Sequence, residues 1–175
     1  MATSNMMLPS LVVYNRKYSK LEECGRGTFG KVYHVKSKKT DKCYASKHIR
    51  AEQKDQKQEM KSEISLLKKL SNPHIVKFIE AFESPSQIVI ITELLNGGEL
   101  FDRVATKEFD LTENDCCLFM RQICRGVEYL HKNNVVHLDL KVKNIFKQSS
   151  HSMIRINSSL RMSSVLNGMP TTSRL

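Results

Sequence analysis

The segment HLDLKVKN, residues 137–144, contains three polar side chains whose chemistry suits the transfer of a phosphate group. Asp139 can accept a proton from a hydroxyl group, and Lys141 carries a charge that neutralises phosphate oxygens. Asn144 offers an amide oxygen to a metal ion. Residues of these types also cluster in ordinary turns, so the segment alone leaves a catalytic loop and a plain turn equally open.

A glycine-rich segment near the start of the chain is suited to lie over phosphate groups. In chain order it contains Gly25, Arg26, Gly27, Thr28, Phe29, Gly30 and Val32. Glycines let a backbone approach phosphates closely, although a plain glycine-rich turn has the same composition. Dinucleotide-binding folds share this spacing, but there the third glycine opens a helix. The residues KVYHV after Gly30 alternate like a strand, which favours a strand–turn–strand hairpin.

Two charged residues between these segments could form an ion pair. Lys47 lies in an otherwise apolar strand, and Glu63 lies in a helical segment beside apolar positions 60, 64 and 67. Taken singly, such a lysine reaches solvent and such a glutamate marks the edge of a buried helix face. Together they predict a carboxylate that directs the ammonium group towards phosphates, which is a positional role more than a stabilising one.

The periodicity of apolar residues predicts how these segments are held. Alternating segments between residues 18 and 95 indicate five strands, with one helix from about Gln53 to Leu70. After the Asn-Gly-Gly joint at 96–98 the period becomes helical, and the longest helix is expected over 112–131. We predict a capping box from Thr112 and Asp115 at its start. Its buried face is predicted to consist of Met120, Ile123, Val127 and Leu130.

Composition excludes several classes of protein. The chain has 175 residues, of which 40 % are hydrophobic and 26 % are charged, as in globular proteins. The net charge is +10, but basic residues do not alternate with aromatic ones, so we expect no nucleic-acid partner. The longest nearly apolar run, residues 6–14, is too short to span a membrane. Five cysteines without CxxC spacing favour a reducing compartment, and we expect a cytoplasmic protein.

The order of these motifs over residues 15–146 resembles that of the eukaryotic protein kinase family. HLDLK at 137–141 and LNGGELFDRV at 95–104 are similar to the myosin light-chain kinase, twitchin and titin-kinase group, serine/threonine kinases of the calcium/calmodulin-associated branch. The resemblance implies an α+β, two-lobed fold: a five-stranded antiparallel small lobe with one helix, and a truncated, mainly helical large lobe. The expected domains are a loose arm (1–14), the small lobe (15–95), the start of the large lobe with the catalytic loop (96–146) and a divergent, poorly ordered tail (147–175).

The same resemblance implies ATP-dependent transfer of phosphate to protein hydroxyl groups, with Mg²⁺ as a cofactor. Asp139 and Lys141 would then be catalytic, and Asn144 would be a metal ligand. The resemblance also places Thr92 at the gatekeeper position, the backbones of Glu93 and Leu95 on the adenine, Glu99 on the ribose, and Val32 and Ala45 over the base. The implied partners are a protein substrate and, in a full-length relative, calmodulin or myosin light chain.

The tail departs from the family pattern. No Asp or Glu follows Asp139, and no Asp-Phe-Gly triplet is present to supply the second carboxylate for magnesium. The segment IRINSSL, 154–160, is a faint echo that would put Asn157 at that position. Either this segment has decayed, or the tail from Lys147 arises from splicing, a frame change or a faulty gene model. Both predict weak magnesium binding and low or no activity, and the alternative function is a non-catalytic, nucleotide-binding regulatory fragment.

A second departure lies within the catalytic segment. Lys143 stands where relatives that favour basic substrates carry a glutamate. By resemblance, this reversal of charge predicts weaker selection of basic peptides.

Overall fold

A sheet of five antiparallel strands forms the first half of the computed structural model, which describes residues 6–27, 30–105, 111–147, 153–157 and 162–164. The spatial order is β1-β2-β3-β5-β4, and every neighbouring pair is antiparallel. The strands are β1 Tyr18–Gly27, β2 Gly30–Ser37, β3 Cys43–Arg50, β4 Phe78–Glu83 and β5 Gln87–Glu93. The predicted five-stranded small lobe is confirmed.

Helix α2, Lys54–Leu67, covers one face of this sheet. Its buried Ile64 packs in a cluster with Ile49 of β3 and Ile88 of β5. The helix follows the predicted period at Ile64 and Leu67, which turn inwards. Its lysines are not all on outer faces, because Lys61 is only 15 % exposed and pairs with Glu83 of β4 at 2.7 Å. This packing fixes the neighbouring Glu63 relative to the sheet.

The opposite face of the sheet is covered by helix α1, Leu11–Lys17, which corrects the prediction of a loose arm over residues 1–14. Tyr14 is only 4 % exposed, and its ring lies 5.5 Å from the ring of Phe82. Leu8, which precedes α1, is also buried, but on the α2 side of the sheet, in the same cluster as Ile64. The segment lacks a clear hydrophobic period because few of its residues contact the sheet. Residues 1–5 lie outside the described part.

The large lobe begins with helix α3, Leu100–Val104, and the long helix α4, Glu113–Lys132. The predicted capping box is confirmed: Asp115 N–H donates to Thr112 Oγ1, and Thr112 N–H donates to Asp115 Oδ2, both at 3.2 Å. Strand β6, Val135–His137, a 3₁₀ turn, Val142–Asn144, and strand β7, Ile145–Lys147, follow. Among the helices described, none has the length and apolar character needed to cross a membrane.

The buried face of α4 differs from the predicted stripe at one end. Leu130 is buried and Ile123 and Val127 are half-buried, but Met120 is 56 % exposed. The neighbouring Phe119 is buried instead, at 6 % exposure, in a cluster with Ile154. Gln122, which an apolar pattern does not mark, is also buried, and its Oε1 accepts a hydrogen bond from Ile154 N–H at 3.0 Å.

Two further strands belong to the tail, so its described part is ordered, contrary to the expectation for residues 147–175. Strand β8, Ile154–Ile156, pairs with β7, and strand β9, Met162–Ser164, pairs with β6. Three of their apolar side chains are buried: Ile154, Ile156 and Met162. The tail thus completes the core beneath α4.

Candidate active site

The glycine-rich segment forms the predicted hairpin between β1 and β2. Gly25 pairs with Val32, and Gly27 pairs with Gly30, so the two strands stay paired up to the turn. Thr28 and Phe29 lie outside the described residues. Gly30 has φ +139°, and a Cβ atom there would lie 1.9 Å from the carbonyl oxygen of His48. Only glycine fits this position, because both the dihedral and the close backbone approach exclude a side chain.

Strand register brings several predicted site residues to one face of the sheet. Val32 lies opposite Lys47, and Ala45 lies opposite Thr92. Paired residues of antiparallel strands point to the same side, and so do residues two positions apart along a strand. The four side chains therefore share the face that α2 covers. Arg26 does not join them, since its guanidinium is exposed and pairs with Glu23 at 2.9 Å.

Lys47 lies within electrostatic reach of groups from both lobes. Burial lowers the pKa of its ammonium group to about 8. The carboxylates of Glu63 and Asp139 act against this shift, in that order, and the charge of Lys141 adds to it. A lysine with a pKa of about 8 is mainly protonated at neutral pH, so Lys47 can attract phosphate groups. The predicted association of Lys47 with Glu63 agrees with these electrostatics.

The catalytic segment is held by bonds among its own residues. Lys141 Nζ lies 3.0 Å from Asp139 Oδ2. Asn144 Nδ2 donates to the Asp139 carbonyl oxygen at 2.7 Å, with a longer contact of 3.4 Å to its carboxylate. The three residues singled out from the sequence thus meet at one point, with Asp139 at the centre.

His137 ties this segment to the tail. The backbone N–H of Asp139 donates to His137 Nδ1 at 3.2 Å, so this ring nitrogen must be unprotonated. The other nitrogen, Nε2, lies 3.1 Å from the Asn157 carbonyl oxygen, to which it can only donate. Asn157 N–H in turn donates to the Asn144 carbonyl oxygen at 2.7 Å. These bonds select the neutral Nε2–H tautomer and place Asn157 directly beside Asn144.

The end of β5 and the residues directly after it carry the predicted adenine contacts. Glu93 N–H already donates to the Lys77 carbonyl oxygen at 3.0 Å, which leaves the Glu93 carbonyl group as the one able to meet a base. That carbonyl also accepts a bond from Thr92 Oγ1 at 3.2 Å, and a carbonyl oxygen has two lone pairs. Leu95 follows two residues later and is half-buried.

The Gly97–Gly98 joint is packed against β7, which directly follows the catalytic segment. A Cβ atom on Gly97 would lie 2.1 Å from the Lys147 carbonyl oxygen, and Gly98 has φ +73°. The next residue, Glu99, forms a bridge with Phe146 of β7. Burial and the Asp102 carboxylate raise the pKa of Glu99, and the charge of Lys143 opposes this rise. Glycine is needed here for close approach, and the joint anchors Glu99 next to Lys143.

The metal donors in this part of the molecule are few. Mg²⁺ is held in proteins by one or two carboxylates together with substrate phosphates. Asp139 is paired with Lys141, and Asn144 contributes an uncharged amide. No group of three or more His, Cys, Asp or Glu side chains within the described ranges could hold a metal. These donors do not fit the two-carboxylate arrangement that the resemblance implied for Mg²⁺.

A separate cavity of about 640 Å³ lies on the other face of the sheet, beside α1. Gly30 is the one predicted site residue in its lining, through the back of the hairpin. The chemistry described above belongs to the α2 face, so we do not assign the nucleotide to this cavity.

Sequence reasoning missed one residue at the site. Arg155 of β8 places Nη1 2.5 Å from Glu93 Oε1, next to the predicted adenine contact. A single arginine between two isoleucines gives little indication of a site, because a charged residue that alternates with apolar ones in a short strand usually faces solvent.

Comparison with known proteins agrees with the two-lobed architecture. The family model described as the protein kinase domain matches residues 18–158. The chain therefore belongs to the protein kinase family.

Relatives within this family include muscle kinases. The chain is 44 % identical over 128 residues to the smooth-muscle myosin light chain kinase of Gallus gallus, which covers 73 % of this chain and 7 % of that protein. It is 41 % identical over 127 residues to human myosin light chain kinase family member 4, with 73 % and 33 % covered. The chain thus spans a third or less of the length of these relatives.

Solved structures show the same fold. A twitchin kinase fragment from C. elegans superposes with a TM-score of 0.79 at 32 % identity, over 85 % of this chain and 34 % of that one. Titin kinase with its flanking domains superposes with a TM-score of 0.78 at 31 % identity, over 89 % and 28 %.

Proposed function

We propose that the chain contains the ATP cleft and catalytic loop of a serine/threonine protein kinase, and that this form transfers phosphate to protein hydroxyl groups at a very low rate or not at all. One observation carries the proposal: Asp139, Lys141 and Asn144 meet at one point, close to the half-buried Lys47, and no acidic residue follows Asp139 in the sequence to supply the second carboxylate for a cation. The cleft groups are assembled, and the negative charge that the family uses to hold its cation is missing.

The residues of the cleft fit ATP. The β1–β2 hairpin presents bare backbone at Gly25 and Gly27, where the phosphates would lie. Lys47 supplies a positive charge to them, held from α2 by Glu63. A carbonyl oxygen can accept two hydrogen bonds, so that of Glu93 can accept one from the adenine amino group beside the one from Thr92 Oγ1. These contacts do not depend on a metal.

The catalytic loop can orient a substrate hydroxyl group. Asp139 is fixed through its backbone by His137 and Asn144, so its carboxylate has a defined position for accepting the hydroxyl proton. Lys141, 3.0 Å away, supplies positive charge beside the transferred phosphate.

The rate of phosphate transfer is limited because the negative charge that would hold a cation is missing. A bound magnesium ion would neutralise the charge that develops on the phosphates, and the donors present do not fit that ion. Loss of one such electrostatic element lowers a rate by on the order of 10³-fold. No later acidic residue replaces it, since none follows Asp139.

The alternative is a non-catalytic fragment that binds nucleotide and competes for partners of a related kinase. It is favoured by the complete absence of acidic residues after Asp139. The two hypotheses differ in whether any transfer depends on Asp139.

A transfer assay separates them. The purified chain is incubated with γ-labelled ATP, Mg²⁺ and myosin light chain, the substrate that the relatives' names indicate, and labelled protein is counted beside an Asp139→Asn variant. We expect a signal at least about 10³-fold below that of an intact relative. A weak signal that Asp139→Asn abolishes supports the kinase, and equal signals support the non-catalytic alternative. Transfer at the rate of an intact relative would contradict the proposal.

A further inference from the structure

The tail strand β8 contacts both ends of the candidate cleft. At one end, Arg155 Nη1 lies 2.5 Å from Glu93 Oε1, and the side chains of the pair are only 15 % and 22 % exposed. At the other end, Asn157 N–H donates to the Asn144 carbonyl oxygen at 2.7 Å. Arg155 of β8 and Asn157, the residue directly after β8, therefore connect the adenine side of the cleft with the catalytic loop.

The Glu93 carboxylate is held from two directions. Its Oε1 accepts the bond from Arg155 and a second bond, of 2.7 Å, from the backbone N–H of Lys77. Arg155 Nη1 also reaches the Ile75 carbonyl oxygen at 3.5 Å. The guanidinium group thus joins the segment before β4 to the end of β5.

The strand that carries Arg155 is itself fixed. Ile154 and Ile156 on either side of it are each 1 % exposed. Ile156 N–H donates to the His74 carbonyl oxygen at 2.8 Å, and Val76 N–H donates to Ile156 O at 3.0 Å. Because the backbone that carries Arg155 is fixed, its ion pair can restrain the Glu93 side chain.

We propose that Arg155 is a positioning residue for nucleotide binding: it holds the Glu93 carboxylate so that the carbonyl group of the same residue keeps its place for the adenine. This inference rests on the proposed function, because it assumes that ATP lies in this cleft. A charge-assisted hydrogen bond between half-buried partners is strong and geometrically specific, and loss of one partner leaves the other charge unpaired.

The proposal is tested with the full 175-residue chain and ribose-labelled fluorescent ATP, titrated in EDTA at a temperature where each variant is folded. Arg155→Gln should weaken binding about tenfold, and Arg155→Lys, which keeps the charge, should stay within about threefold of the wild type. The matched control is Arg50→Gln, because Arg50 pairs with Glu52 at 2.8 Å but lies on the surface. Its affinity should not change.

A double-mutant cycle shows whether Arg155 acts through Glu93. If it does, Arg155→Gln should have no further effect on affinity in a Glu93→Gln background. A general loss of packing would instead weaken binding equally in both backgrounds, and that result would overturn the proposal.

Hydrogen–deuterium exchange keeps the test independent of the proposed function. Amides of residues 88–98 should exchange about tenfold faster in Arg155→Gln than in the wild type without nucleotide, while those of α4 should not change. If the wild type fails to bind the ATP analogue, the proposed function fails, and exchange alone decides on the restraint. If the wild type binds and Arg155→Gln binds equally well, or if exchange near Glu93 is unchanged, the inference is wrong.

Discussion

The ammonium nitrogen of Lys141 lies 3.0 Å from Oδ2 of Asp139, so the central carboxylate of the catalytic loop is paired with a lysine of the same loop. The charges of Asp139 and Lys141 both affect the pKa of Lys47. Among the described residues, two lysines thus provide positive charge around Asp139, and the Glu63 carboxylate acts on Lys47. This balance suits the phosphates of a nucleotide and disfavours a divalent cation.

The half-buried Lys47 predicts that nucleotide binding depends on pH. Burial holds its pKa at about 8, so raising the pH through this value removes the charge that attracts the phosphates. ATP affinity should fall between pH 7 and 9 in the wild type, and Lys47→Arg should show a much flatter profile, because arginine stays charged. Titrations with fluorescent ATP across this range measure the effect, and identical profiles would refute the assignment.

The same shift predicts a trend in stability. The pKa of Lys47 is about 8 when folded, below the ordinary value of 10.5, so between these values the unfolded chain binds more protons than the folded one. The free energy of unfolding contributed by this group therefore rises as the pH increases through that window. Urea unfolding of the wild type and of Lys47→Met at several pH values checks this, since the variant should lack the rise.

Alanine substitutions at two glycines of the hairpin are expected to destabilise the chain to different extents. A Cβ atom at Gly30 would overlap the His48 carbonyl oxygen at 1.9 Å, whereas one at Gly27 would meet nothing within 4 Å. Gly30→Ala should destabilise the chain by about 3 kcal/mol or more, through backbone strain and overlap. Gly27→Ala should change stability by less than about 1 kcal/mol. Equal midpoints of urea unfolding for the two variants would show that the hairpin is placed differently.

The buried tail predicts that its strands contribute to stability. Ile156 is 1 % exposed and packs near Gly126 of α4, so Ile156→Ala should cost about 3 kcal/mol. Met120→Ala, on the exposed face of the same helix, should cost less than about 1 kcal/mol. Urea or thermal unfolding of both variants measures the difference. A tail that does not pack would give two small and similar values.

Lys143 predicts a change in peptide preference. Its charge opposes the rise in the pKa of Glu99 that burial and Asp102 cause, and by resemblance it stands where a glutamate would contact basic substrates. Lys143→Glu in a kinase with the remaining large lobe should raise the preference for arginine-containing peptides. The measurement is a peptide array, and an unchanged profile would reject the role.

Local patterns account for the part of the fold that could be predicted. The alternation in KVYHV and the Thr112–Asp115 capping box depend on neighbours in sequence, and both are confirmed. The position of the glycine hairpin was predictable for the same reason, because the residues after Gly30 read as a strand.

Long-range contacts account for the part that was missed. Tyr14 is buried by Phe82, which comes from a distant strand, and no local period marks it. Gln122 is buried because its amide meets Ile154, 32 residues away, and Arg155 meets Glu93 across 62 residues. A polar residue that is satisfied by a distant partner reads as a surface residue until the partner is known.

The central claim is that the ATP cleft is assembled while the negatively charged site for its cation is absent. The most direct test compares the affinity of the chain for ATP with and without Mg²⁺, for the wild type and for Asn157→Asp, which puts a carboxylate beside Asn144. The wild-type affinity should change by less than about threefold when Mg²⁺ is added, and that of Asn157→Asp should rise by about tenfold or more. A wild-type chain that binds ATP more than about tenfold tighter with Mg²⁺, or that binds no ATP under either condition, would contradict the account.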